Sequence, residues 1–237
     1  MTINLVIFSL IIGYLVGSIS FTRIVVRLVA PKTDLTHMSI SVPGVSQPMA
    51  MTSYSANTVG LALGSRYGAM VGLLDMLKVF LITLGIRLIF PVQPYYVITA
   101  MGGVLGHNWP IYYGFKGGRG ISATYGGLFA IDPLCALSTS VTGMLIALII
   151  FHDFALIFPI SLFLVIPWMV LRTWEPLYIL YAVLINFLFF IAIIPELKEV
   201  VRSRKEKIGA GTMQEMMETN PMGRSMLKIA RRFGWLK

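Results

Sequence analysis

The feature that most constrains this chain is a succession of apolar runs separated by short polar turns. Ile3 to about Val26, Gly68 to about Phe90, Tyr95 to about Leu105, Ile121 to Ile131, Leu134 to Phe151, Phe154 to about Leu171, and Leu177 to about Ile194 follow one another. A backbone surrounded by hydrocarbon must satisfy its own hydrogen bonds, and runs this uniform and unalternating do so as helices. The expected fold is all-α: a polytopic integral membrane protein, a bundle of about seven transmembrane segments. Tyr95–Leu105 and Ile121–Ile131 fall well short of the ~20 residues a full crossing needs, so they are expected as half-length helices beside a protein-lined cavity.

Composition agrees. The chain is 57% hydrophobic and 12% charged, with a mean hydropathy of +0.81, which excludes an ordinary soluble domain. Its net charge of +9 points to anionic lipid and cytoplasmic loops before nucleic acid, for which no motif is present. Arg23, Arg27 and Lys32 follow the first run, so that end is expected inside and the N-terminus outside. Met1 to Ser20 has no basic leader and no small-residue cleavage site; it reads as a retained span. An odd number of crossings places the C-terminus in the cytoplasm, and residues 195–237 read as a basic tail there. Met222 to Lys237 places Met226, Leu227, Phe233 and Trp235 among basic residues, as an interfacial helix would.

Cys135 is the one cysteine, and His37, His107 and His152 are scattered; no disulfide, metal site or cofactor is expected. Asp75 and Lys78 interrupt an apolar run at i, i+3 spacing. Charges are costly in a span, so the two are expected to neutralise each other on one interior helix face.

Gly106 to Gly120 holds the densest chemistry. Gly117, Gly118 and Gly120 allow positive φ or close backbone approach, and Lys116 and Arg119 bring cations to the same turn. With a helix starting near Ile121, its N–H groups form an anion cradle. The spacing is not that of a P-loop, which disfavours nucleotides. A turn that only anchors the cytoplasmic face is the alternative.

The run Gly106-His107-Asn108-Trp109-Pro110, then Phe115-Lys116-Gly117-Gly118-Arg119-Gly120 and Ala123-Thr124, resembles the second signature motif of the bacterial acyl-phosphate:glycerol-3-phosphate acyltransferases, the PlsY family. Asp75-Met76-Leu77-Lys78 is similar to an Asp-x-x-Lys in that family, and Gly17-Ser18-Ile19-Ser20-Phe21 to its Gly-Ser-Ile-Pro-Phe, with Ser20 in the proline's place. The first motif is matched only by Met51-Thr52-Ser53-Tyr54-Ser55-Ala56-Asn57-Thr58, which lacks its glycines; the register comes from Leu63-Gly64-Ser65-Arg66-Tyr67-Gly68. The third motif, near His-Arg-Glu-Asn, has no counterpart beyond Glu196, since no histidine follows His152.

The resemblance implies a transmembrane acyltransferase-like domain over residues 1–194 in the bacterial inner membrane. It implies transfer of an acyl group from acyl phosphate to the 1-hydroxyl of glycerol 3-phosphate, giving lysophosphatidic acid for phospholipid synthesis. No cofactor, nucleic acid or obligate protein partner is implied; the partners are the two substrates and membrane lipid. Lys116, Gly117, Gly118, Arg119 and Gly120 are expected to bind phosphate, with Asn108 beside them. His107 either acts as acid/base or holds the loop by a hydrogen bond. Lys78 is expected to support the charge of the site, oriented by Asp75, and Ser53, Ser55, Asn57 and Arg66 to contact substrate. The other readings are a diverged paralogue that binds anionic lipid or acyl phosphate without turnover, and a small-anion transporter, which the lack of duplicated halves disfavours.

Overall fold

The computed structural model describes residues 2–33, 39–40, 49–50, 53–91, 94–153 and 156–205. Within them the protein is helical apart from one two-residue antiparallel pair, β1 (Ser39–Ile40) with β2 (Met49–Ala50). The helices are α1 (Ile3–Gly17), α2 (Phe21–Val29), α3 (Ala56–Leu63), α4 (Ser65–Ile89), α5 (Tyr95–Asn108), α6 (Ile121–Ile131), α7 (Pro133–Leu145), α8 (Ile157–Thr173) and α9 (Pro176–Lys205).

Four helical stretches are long and apolar enough to cross a membrane: Ile3–Val29, Ser65–Ile89, Pro133–Ile150 and Pro176–Pro195. Ile121–Ile131 and Ile157–Thr173 are shorter apolar helices, and α5 has 14 residues. Among the described residues each apolar run of the sequence is thus mostly helical, and the chain is a multi-pass integral membrane protein.

Two departures from the sequence expectation concern helix ends. The first run is not one helix: it breaks at Ser18–Ser20 and resumes at Phe21, without the proline that would force a break. At the other end of the chain, α9 runs through Pro195 to Lys205, so apolar span and basic segment share one helix. Residues 206–237, with the expected interfacial helix, lie outside the described residues.

The chain forms two compact units, one of residues 1–21 and 72–192 and one of residues 22–71 and 193–237. In the first, α1 packs closely on α5 along a seam of glycines. A Cβ added at Gly13 or Gly17 would run into the carbonyls of Thr99 or Gly103, and one added at Gly102 or Gly106 into those of Leu10 or Tyr14. Each helix therefore offers glycines four residues apart to the other's backbone, and the two approach closely enough for dispersion to hold them where lipid provides no hydrophobic drive. The phenol of Tyr14 donates to the Trp109 carbonyl at 2.8 Å, tying α1 to the turn beyond α5.

The same device recurs deeper in this unit. Gly126 of α6 lies against the Met76 carbonyl of α4, and Gly143 of α7 against Ser161 of α8. Asn186 of α9 donates to the Leu162 carbonyl at 2.9 Å, a polar contact suited to an apolar medium. The Asp132-Pro133 break works as its residues dictate: the Asp132 carboxylate accepts from the Cys135 N–H at 3.1 Å and caps α7, with Pro133 in its first turn.

In the second unit, Ser55 caps α3, accepting from the Thr58 N–H at 3.3 Å. Arg23 of α2 lies over the Tyr54 ring, 3.5 Å from its centroid. Gly64, at φ +102°, turns the chain from α3 into α4. Gly60 and Gly68 then meet backbone to backbone, where a Cβ at Gly68 would lie 2.7 Å from the Gly60 Cα.

Candidate active site

The first unit contains a buried cluster of charge. Asp75 and Lys78, one turn apart on α4, pair at 2.7 Å with side chains 3% and 4% exposed. This is the mutual neutralisation that their spacing predicts. Lys78 reaches two further acceptors. Its Nζ donates to the Ile19 carbonyl, which the break at Ser18–Ser20 leaves out of the helical ladder, and lies 3.3 Å from His107 Nδ1 on the last turn of α5. The broken helix and the buried cation therefore complete each other: a carbonyl without a helical partner meets a proton without a water.

The glycine turn folds back over the C-terminal end of α5, directly above this cluster. Gly118 N–H donates to the His107 carbonyl at 3.1 Å, and Phe115 N–H to the Pro110 carbonyl at 3.0 Å. The glycines divide the work. Gly114 and Gly120 take positive φ, at +59° and +81°. Gly117 and Gly118 instead give close approach: a Cβ at Gly117 would strike the carbonyls of His107 and Asn108, and one at Gly118 the Nε2 of His107. Phe115 also has positive φ, at 59°, and such a conformation in a bulky residue is held by its surroundings.

Gly120 is the N-cap of α6, so the basic loop leads into a helix N-terminus as the sequence predicts. The Asn108 carboxamide lies against it, 2.6 Å from the position of a Cβ on Gly120. Asn108 is 3% exposed, and neither its Oδ1 nor its Nδ2 has a hydrogen-bond partner among the described residues. A buried amide left this way in an apolar protein costs of order 1–3 kcal/mol and is suited to a ligand that would complete it.

The structure thus brings Asp75, Lys78, His107, Asn108 and the Lys116–Gly120 loop together within one unit. Lys78 is held inside, under the loop, and Lys116 is on the exposed surface of it, with Arg119 half-buried. The Gly118 N–H is engaged with the His107 carbonyl and so contributes to loop closure. Ser53, Ser55, Asn57 and Arg66 belong to the second unit. There, Ser55 Oγ caps α3 and lies 3.1 Å from Thr58 Oγ1, and that hydroxyl donates to the Ser53 carbonyl at 2.7 Å. Asn57 and Arg66 are exposed. Met51 and Thr52 of the same motif lie outside the described residues.

Sequence reasoning missed the Ile19 carbonyl. The signal was the small-residue string Gly17-Ser18-Ile19-Ser20, which lies inside a run read as one continuous span from Ile3 to about Val26.

Helices long and apolar enough to cross a membrane, with a glycine loop closed over a buried ion pair, define the class: a multi-pass integral membrane protein. Residues 7–203 match the family model described as glycerol-3-phosphate acyltransferase, and the chain belongs to that family. Similar proteins include the glycerol-3-phosphate acyltransferases of Aquifex aeolicus, 34% identical over 131 residues, and of Halalkalibacterium halodurans, 33% identical over 135. These alignments cover 55% and 56% of this chain, and 62% and 60% of the relatives; the chain spans less than two thirds of either relative's length.

Among solved structures, the glycerol 3-phosphate form of PlsY, an integral membrane glycerol 3-phosphate acyltransferase, superposes with a TM-score of 0.69 at 26% identity, over 84% of this chain and 93% of that one. The lysophosphatidic acid form has the same fold, with a TM-score of 0.69 at 24% identity over 90% and 98%.

Proposed function

We propose that the protein transfers a fatty acyl group from acyl phosphate to the 1-hydroxyl of glycerol 3-phosphate, giving lysophosphatidic acid and inorganic phosphate. Family membership supports the reaction class. The observation that carries the assignment to this site is the glycine loop folded over α5, with the unpartnered amide of Asn108 beneath Gly120.

In this reading Lys116 and Arg119 bind substrate phosphate, joined by Asn108 and by the N–H groups at the start of α6. The hydroxyl oxygen attacks the acyl carbonyl carbon, and the carbon–oxygen bond to phosphate breaks. The phosphate departs with the bonding pair and takes up the hydroxyl proton. An acyl phosphate is already activated, so charge neutralisation and alignment suffice, with no covalent enzyme intermediate. Ser53, Ser55, Asn57 and Arg66 are proposed as further contacts to glycerol 3-phosphate. The proposed location is the bacterial cell membrane, with the N-terminus outside and the C-terminus in the cytoplasm; the basic residues after the first span and in the tail support that orientation.

The test is direct. Purified protein given acyl phosphate and labelled glycerol 3-phosphate should release phosphate and form labelled lysophosphatidic acid. Saturable binding of acyl phosphate without product, with either acyl phosphate or acyl-CoA as donor, would instead identify a non-catalytic paralogue.

A further inference from the structure

Lys78, as an ammonium, has three protons and no lone pair, and among the described residues its Nζ lies within hydrogen-bond distance of three groups: Asp75 Oδ1, the Ile19 carbonyl and His107 Nδ1. An ammonium can only donate, so His107 Nδ1 must accept. A proton on Nδ1 would face the ammonium at 3.3 Å, donor against donor. It would also have no good alternative acceptor, because Asp75 Oδ1 is 3.6 Å away, beyond hydrogen-bond range, and already receives Lys78. The proton of the ring therefore sits on Nε2, and Nε2 is the ring atom aimed at Gly118.

We infer that Lys78, held by Asp75 and the Ile19 carbonyl, is a positioning residue that fixes His107 as the Nε2–H tautomer. The imidazole is then a hydrogen-bond donor presented at the glycine loop, to a phosphoryl or carbonyl oxygen of the substrate, and not the base that removes the glycerol proton. The donor role rests on the acyl-transfer reading; the tautomer does not. The same geometry gives Gly118 its reason: a Cβ there would fall on the Nε2 that has to face the loop. It also gives the buried ion pair work beyond cancelling its own charge, because the orientation of a neutral imidazole is set by whichever group holds its other nitrogen.

The experiment is nitrogen NMR of the full-length protein in lipid nanodiscs with 15N-labelled histidine, His107 being assigned by its loss in His107→Gln. The expected spectrum near pH 7.5 shows Nδ1 unprotonated and Nε2 protonated. In Lys78→Met the proton should move to Nδ1, toward Asp75, while Lys78→Arg, which keeps a donor, should retain the original tautomer. An Nδ1–H ring or an imidazolium in the unsubstituted protein would overturn the inference, as would an Nδ1–H ring in Lys78→Arg.

Kinetics tests the donor role separately. His107→Gln places an amide N–H near the position of Nε2 and should keep turnover within about tenfold, whereas His107→Ala should lose about 100-fold, the order expected for one donor to developing charge. Equal losses in these two variants, both folded, would overturn the donor role. Failure of the unsubstituted protein to turn over would remove the acyl-transfer reading and leave the tautomer to be decided by the spectra.

Discussion

The first unit has two polar clusters, and they use the same kinds of residue differently. At the α5 terminus, Asp75 and Lys78 are 3% and 4% exposed, and Lys78 donates to Asp75 and the Ile19 carbonyl and lies 3.3 Å from His107 Nδ1. At the far end of α4, Arg87 reaches the carbonyls of Ala130 and Ile131. Beside it Arg172 pairs with Asp132 at 3.0 Å, the two side chains being 49% and 12% exposed. Lys78 and Arg87 stand nine residues apart on one helix, about 14 Å along its axis.

The difference lies in what each cluster leaves over. The Arg87–Asp132–Arg172 cluster closes helix ends: Arg87 caps the last carbonyls of α6, Asp132 caps α7, and Trp168 of α8 donates to the same carboxylate at 3.2 Å. A cavity of about 280 Å³ opens there, lined in part by Arg87, Asp132, Arg172 and Tyr178, but its charges already hold helix termini together. The Asp75–Lys78–His107 cluster ends on a glycine loop and on a buried amide that finds no partner among the described residues. Chemistry is expected at that end, and only stability at the other.

Lys116→Ala is the substitution that should separate the two ends most sharply. Acyl transfer should fall by 100-fold or more, on the order of losing a direct charge contact in the transition state, with the thermal midpoint nearly unchanged because the side chain is exposed. Gly118→Ala comes next. Its methyl displaces the His107 ring, and turnover should drop by about 10- to 100-fold, read in the same assay beside a melting curve.

At the other end the effects should be thermodynamic. Asp132→Ala removes the α7 cap and the partner of Arg172, and should cost about 1–2 kcal/mol in denaturant or thermal unfolding, with activity kept. Arg172→Ala is the smallest change. Its ion pair is half-exposed, so a loss under about 1 kcal/mol is expected.

Much of this comparison was legible in the sequence. Uniform apolar runs give helices because lipid permits little else, and i, i+3 charges inside one of them have to meet. The gap between the runs ending at Ile131 and starting at Leu134 was legible, and the structure adds that Asp132 caps α7 there. The glycine loop was legible as a tight turn leading into a helix, yet the role of each glycine was not. Whether Gly118 gives torsional freedom or clearance depends on what lies opposite, and His107 arrives there only through tertiary packing. The break at Ser18–Ser20 was hidden for a related reason: without a proline, local sequence favours continuation, and the Ile19 carbonyl is left out only because Lys78 can satisfy it. Pro195 misled in the other sense, since α9 continues through it. The hydroxyls around Ser55 suit either ligand contacts or a helix cap, and the structure shows Ser55 capping α3 with Thr58 beside it.

The central claim, that acyl transfer takes place at the glycine-loop end of the bundle, is tested most directly by one side-by-side assay. Incorporation of labelled glycerol 3-phosphate into lysophosphatidic acid is measured for Lys116→Ala and Arg172→Ala, purified in the same way. The account predicts product from Arg172→Ala at close to the unsubstituted rate and almost none from Lys116→Ala; the reverse pattern would contradict it.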